Sequence, residues 1–179
     1  MAISNKRSIS KNKAVDRIIS TQLALNLISS QYSKKKGRFV SLFGFCKDIN
    51  TTYQNLNDSS NKEKAEKLLI LFQKKLAHIE TQLEATFQEL KKITDDDIGY
   101  LPELVLQDTK ITFAMTSPEA HRAAKMIVLY DKVCQLALRL KSGGLCDKSY
   151  CYKILNNGEN LLVDLFQEAR TLSKAAFLK

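Results

Sequence analysis

The stretch Lys110–Ala124, KITFAMTSPEAHRAA, decides how this chain reads, because an alternating segment runs directly into a well-signalled helix start. Along Lys110–Met115, Ile111, Phe113 and Met115 share one face while Lys110, Thr112 and Ala114 share the other. The first face suits a core and the second stays free to meet a partner. Ser117 then stands where an N-cap belongs, Pro118 suits the first helical position, and Glu119 sets negative charge beside the helix N-terminus. The expectation is a short strand over 110–115 that turns sharply into a helix.

Working outward, the charge is one-ended. The formal net charge is +9, and residues 1–48 hold ten Lys or Arg against two Asp, while residues 49–179 hold 18 basic against 17 acidic side chains. Lys6, Arg7, Lys11, Lys13 and Arg17 form one cluster, and Lys34, Lys35, Lys36 and Arg38 a second. Such clusters suit phosphates, since each one neutralised releases condensed counterions. Acidic lipid or protein would attract them as well. Residues 1–14 read as a flexible basic arm and 15–179 as a single helical domain.

The remaining composition narrows the class. The N-terminus is polar and basic with no signal peptide, and no apolar run nears the roughly 18–20 residues of a membrane span. A cytoplasmic protein without membrane contact is expected, with Cys46, Cys134, Cys146 and Cys151 as ordinary thiols and no metal site or cofactor. The glycines are scattered, Gly143-Gly144 ends a helix, and neither His78 nor His121 lies in a catalytic context. No enzyme is read here.

Helical periodicity dominates elsewhere. Asn61–Ile93 carries the clearest helix, with a coiled-coil-like seam of Leu69, Phe72, Leu76, Ile79, Leu83, Thr86, Leu90 and Ile93. At about 1.5 Å per residue it extends roughly 50 Å and needs another long helix beside it, in a hairpin or a dimer. The segment Val15–Ile28 supports both a helical and an alternating period, and we read it as helix. A modest helix is expected over 43–56, and a helix from Pro118 ends at Ser142-Gly143-Gly144. Between Pro118 and Leu140, either one continuous helix or a turn at Tyr130-Asp131, with Asp131 capping a second helix, fits the pattern. Asp147–Leu155 reads as a short helix, Asn156–Gly158 as a break, and Leu161–Phe177 as a final helix.

Three blocks then carry a family resemblance: Lys36-Gly-Arg-Phe-Val-Ser-Leu-Phe-Gly-Phe45, the long helix that follows it, and Pro118-Glu-Ala-His-Arg-Ala-Ala124 through Tyr130-Asp131 to Gly144-Leu145. Over about residues 36–170 the chain resembles the integrating-conjugative-element proteins related to the AcaB transcriptional regulators, and the strand and capped helix resemble the opening of ribbon-helix-helix repressors. The resemblance implies a dimeric ribbon-helix-helix regulator of transfer genes, whose paired strands lie in the major groove.

The combined expectation is a mainly α, ribbon-helix-helix-like homodimer that binds double-stranded DNA and regulates transcription for an integrative conjugative element. Lys110, Thr112 and Ala114 face the bases; Arg122, Lys34, Lys35, Lys36 and Arg38 approach phosphates. A rival ribbon at Arg38–Leu42 adjoins the second basic cluster. The alternative function is a helical adaptor of a conjugation or type IV secretion machine, docking another conjugative-element protein along the long seam.

Overall fold

The computed structural model describes residues 13–29, 40–56, 62–96, 101–115 and 117–175. Two strands and five helices follow in the order β1 (Lys13–Ile19), α1 (Gln22–Ile28), α2 (Leu42–Leu56), α3 (Lys62–Asp96), β2 (Thr109–Met115), α4 (Pro118–Ser142) and α5 (Lys148–Ala175). The fold is mainly helical, with one two-stranded antiparallel sheet in which β1 pairs with β2.

Helix α4 is the axis of the molecule and touches both strands and the other four helices. Its sequence explains this. Ala120, Ala123, Ala124 and Ala137 let neighbours approach closely, while Met126, Ile127, Tyr130, Val133 and Leu140 are buried on several sides. Ser117 caps it as expected, accepting a hydrogen bond from the Ala120 N–H at 3.1 Å. In the first turn the buried Glu119 carboxylate accepts from the Tyr53 hydroxyl and from Gln73 Nε2, both at 2.9 Å, which ties α2 and α3 to the start of α4. The helix is continuous through Tyr130-Asp131. It ends where Gly144 adopts φ 72°, with the Gly144 N–H on the Lys141 carbonyl and the Leu145 N–H on the Leu140 carbonyl. Both bonds are those of a Schellman cap.

The seam of α3 is filled within the chain. Phe72, Leu76, Ile79, Leu83 and Leu90 are buried against the rest of the molecule, and α4 is the helix with which α3 makes its most extensive contact. The long-helix partner is thus α4, as the hairpin reading required.

Three segments depart from the expected pattern. Val15–Ile19 is strand and helix begins only at Gln22, because β2 supplies a hydrogen-bonding partner for this backbone and Thr21 caps α1 by accepting from the Ala24 N–H. Asn156–Gly158 does not break the chain, and α5 runs uninterrupted from Lys148 to Ala175. There Gly158 lies against Tyr130, whose ring would stand 2.6 Å from any added Cβ, so packing on α4 overrides the roughly 1 kcal/mol helix penalty of glycine. At the rival ribbon, Ser41 instead caps α2, accepting from the Gly44 N–H at 3.2 Å, and Leu42 is already helical; Arg38 and Phe39 lie outside the described residues.

The thiols also divide. Cys146 and Cys151 are paired as a disulfide, since the turn after α4 folds back over the first turn of α5 and brings their Cα atoms to 6.8 Å. Only Cys46 and Cys134 are free, and burial pushes both thiols up to about 12, leaving them protonated and unreactive.

Candidate nucleic-acid interface

The antiparallel register places Asp16 opposite Thr112, Ile18 opposite Lys110, and Val15 and Arg17 opposite Phe113 and Ile111. Alternation then separates two faces. Inward, Ile19, Ile111 and Phe113 are buried, with the Phe113 ring 6.3 Å from that of Phe43. Outward, Asp16, Ile18, Lys110 and Thr112 are exposed. The strand over 110–115 therefore forms as expected, with one face in the core and the other in solvent.

Its pairing differs from an intermolecular ribbon. Among the described residues its partner is the chain's own β1, held along its full length. The sheet is also pinned at its base. The buried Asp131 carboxylate accepts the Ser20 N–H at 3.1 Å, the Thr21 N–H at 2.8 Å, the Thr21 hydroxyl at 2.6 Å and Gln135 Nε2 at 2.8 Å. Asp131 thus caps nothing in α4; it holds the corner between β1 and α1. Nearby, the Ser20 hydroxyl donates to Asp108 at 2.6 Å, joining the end of β1 to the start of β2.

Electrostatics on the outer face are balanced rather than basic. Lys110 pairs with Asp16 at 2.7 Å, and the Thr112 hydroxyl donates to the other Asp16 oxygen at 2.8 Å. These bonds, Lys110 first, hold the Asp16 carboxyl below the usual carboxylate range. Both partners are well exposed, so the pair adds little stability. It does create a compact cluster of cation, carboxylate and hydroxyl, side-chain types that pair in general with guanine acceptors, with the cytosine amino group and with either kind of base-edge group, respectively.

At the rim between sheet and α4 the balance is positive. His121 is held below its ordinary value near 6.5 by partial burial, then by the Lys125 and Arg17 charges beside it. Arg17 and Lys125 therefore form a local cationic pair with a largely neutral His121 beside their charges. Arg122, expected at a phosphate, instead bonds Glu80 of α3 at 2.6 Å. Ala114 lies in β2 opposite Ala14; Lys34, Lys35, Lys36 and Arg38 lie outside the described residues. Sequence reading placed Arg17 in the first basic cluster but missed Asp16 and Lys125. The alternation of Ala14, Asp16 and Ile18 against Val15, Arg17 and Ile19 was the available signal for Asp16.

The family model of the transcriptional regulator AcaB matches residues 12–176, which spans both strands and all five helices. The chain belongs to the AcaB transcriptional regulator family. The crystal structure of selenomethionine-containing AcaB from uropathogenic E. coli is similar in fold, with a TM-score of 0.76, 12% identity, and coverage of 93% of this chain and 82% of that one. No curated protein sequence matches. At this identity the likeness to AcaB lies in the fold: the mainly helical body and its small sheet. Among the described residues, no helix is long and apolar enough to cross a membrane.

Proposed function

We propose that this AcaB-family protein is a non-enzymatic, cytoplasmic transcriptional regulator of an integrative conjugative element, which binds double-stranded DNA as a homodimer and reads it with the outer face of its sheet. The observation that supports this most is the exposed Asp16–Lys110–Thr112 cluster on a sheet whose other face is buried and whose base is fixed by Asp131. A side chain that reads bases needs a rigid support, and this sheet has one. Because Lys110 and Asp16 offset each other, affinity has to come from elsewhere. Arg17, His121 and Lys125 at the rim and Lys34, Lys35, Lys36 and Arg38 supply the phosphate contacts in this reading, with Arg122 available only when it leaves Glu80. The outer edges of β1 and β2 have no strand partner among the described residues, and a second copy pairs there to make the dimer.

A gel-shift titration against DNA from upstream of the protein's own operon, at several salt concentrations, tests the reading. Lys110→Ala with Thr112→Ala is expected to abolish sequence preference and leave non-specific binding, whereas neutralising Lys34–Lys36 weakens all DNA and lowers the salt slope by about one per lost contact. No binding even at low salt would refute the proposal. Asp16→Asn frees Lys110 from its carboxylate and is expected to strengthen non-specific binding while relaxing specificity.

A pH dependence follows from His121. Its folded value is depressed, so the neutral form is favoured in the free protein; the associated stability is present above about pH 6.5 and declines as pH falls through the folded value. A phosphate at the rim reverses that depression, so DNA binding takes up a proton. Affinity is expected to rise as pH drops from about 7.5 to about 6, and His121→Gln to flatten the profile. Equal pH profiles in the two proteins would remove His121 from the interface.

The adaptor reading placed its partner along the α3 seam, which α4 fills; what is left to a second reading is the adjacent Ile70 and Leu71 on α3, 51% and 48% exposed, as an apolar pair at which another conjugative-element protein would dock.

A further inference from the structure

Between the end of α3 and β2, residues 101–108 form a strap with no regular structure that is fastened at both ends. At the first, Leu101 and Pro102 lie so close to Gly143 that an added Cβ there would meet Leu101 at 2.9 Å and Pro102 at 3.4 Å. At the second, Asp108 accepts the Ser20 hydroxyl. Held at these two points, the strap arches over α4 and leaves a cleft of about 440 Å³, walled by Glu103, Leu104 and Leu106 on the strap and by Gln135 and Arg139, one helical turn apart, on α4. This volume falls within the range of small-molecule sites.

The chemistry of the cleft is unbalanced. Arg139 Nε is shut off from solvent and has no hydrogen-bond partner, and among the described residues the Arg139 guanidinium makes no ion pair. A buried donor left unmade is costly, more so when charged, and is seldom retained without a reason. A carboxylate is the group that meets a guanidinium in plane with two bonds. Leu104 and Leu106 offer apolar contact to whatever carries it, and Glu103 disfavours a second negative charge while suiting an ammonium.

The cleft is also wired to the sheet. Gln135, in its wall, donates to Asp131, and the same carboxylate receives the N–H groups of Ser20 and Thr21 at the end of β1. A ligand that draws Gln135 toward itself alters the acceptor on which the sheet's corner rests.

We propose that the cleft beneath the 101–108 strap is an effector site for a small aliphatic carboxylate, with Arg139 as its anchor and Gln135–Asp131 as its link to the sheet. Ligand binding stands independently of the DNA reading; only a consequence for operator affinity rests on it.

The test is a titration of ¹⁵N-labelled full-length protein, followed by amide NMR, with 4-methylpentanoate, with L-leucine and with inorganic phosphate in parallel. Saturable shifts at Leu104, Leu106, Gln135 and Arg139 are expected with at least one of the two carboxylates and not with phosphate. Tighter binding of leucine assigns an amino acid, by way of Glu103; tighter binding of 4-methylpentanoate assigns a simple carboxylate. Arg139→Met is expected to weaken binding by about tenfold or more. If that variant fails to fold, Arg139→Lys, which keeps the charge and loses the planar fork, is expected to weaken it by about threefold or more. Gln135→Leu should retain the shifts in the strap and lose those at Ser20 and Thr21. The proposal is overturned by an absence of saturable shifts with both carboxylates, by phosphate acting equally well, or by Arg139 variants that bind like the parent. Persistence of the Ser20 and Thr21 shifts in Gln135→Leu would overturn the link.

Discussion

Asp131→Ala is expected to destabilise the protein by roughly 3–5 kcal/mol, the cost typical of removing one member of a buried, hydrogen-bonded charge network. The carboxylate is 2% exposed and accepts four hydrogen bonds, from two backbone N–H groups, one hydroxyl and one amide. Its loss leaves the Ser20 and Thr21 amides without their acceptor at the point where β1 turns into α1. For a chain of this length the midpoint of thermal unfolding should fall by about 10 °C. Asp131→Asn, which keeps one oxygen but turns an NH₂ toward other donors, should lie between. Urea unfolding checks both through the shift in midpoint at unchanged slope. A loss below about 1 kcal/mol for the alanine variant would show that the corner is held by something else. The damage should also be local before it is global, with Ser20, Thr21 and the β1 amides losing hydrogen-exchange protection ahead of α3 and α5.

The second large effect is expected at the crossing of α4 and α5. Tyr130 is fully buried and its hydroxyl donates to the Leu155 carbonyl at 2.9 Å, while Gly158 provides the gap in which its ring lies. An added Cβ at 158 would meet Tyr130 Cε2 at 2.6 Å and Cδ2 at 2.7 Å. A rigid, enclosed ring cannot yield as a flexible chain end would, so Gly158→Ala should cost about 2 kcal/mol net, the overpacking penalty exceeding the helix-propensity gain. Tyr130→Ala should cost roughly 3–5 kcal/mol through cavity formation and the lost hydrogen bond. Their combination is diagnostic. With the ring gone, Gly158→Ala should become stabilising by up to about 1 kcal/mol, so the two changes couple strongly in a double-mutant cycle. Additive effects would mean that Gly158 is not there to admit Tyr130.

These two sites also mark what the sequence could and could not convey. The strand over 110–115, the Ser117 cap, the seam of α3 and the glycine end of α4 are each written within a window of a few turns, and local pattern recovered them. β1 is different: Val15, Ile19, Leu23 and Leu27 satisfy a helical period, and only its pairing with β2, across most of the chain, makes the first two residues strand. Asn156–Gly158 has the composition of a break, and only Tyr130, on another helix, gives the glycine a reason to sit mid-helix. Asp131 could be read as a helix cap from its type. That it holds the cap residue of α1, Thr21, from the middle of α4 depends on three elements meeting. On the outer sheet face, Lys110 and Thr112 were legible from alternation alone, while Asp16 joins them only through the register. Arg122 was expected to approach a phosphate, and its ion pair with Glu80 on α3 was not legible from local sequence.

The sheet joins these points to function. Its two faces do separate work, one sealing the core with Ile19, Ile111 and Phe113, the other holding Asp16, Lys110 and Thr112 in fixed relation. Two-stranded sheets are marginal on their own, so the face proposed to read DNA depends on the Asp131 corner and on the buried side beneath it. Weakening the corner is therefore expected to lower specificity before the protein unfolds.

Amide shift mapping of the ¹⁵N-labelled protein on addition of a DNA duplex from upstream of its operon tests the central claim most directly. The account predicts that the largest shifts fall on Asp16, Ile18, Lys110 and Thr112, with smaller ones at Arg17, His121 and Lys125. Shifts concentrated instead on another surface, such as Lys148 and Tyr152 at the start of α5, with the outer sheet face unmoved, would contradict it.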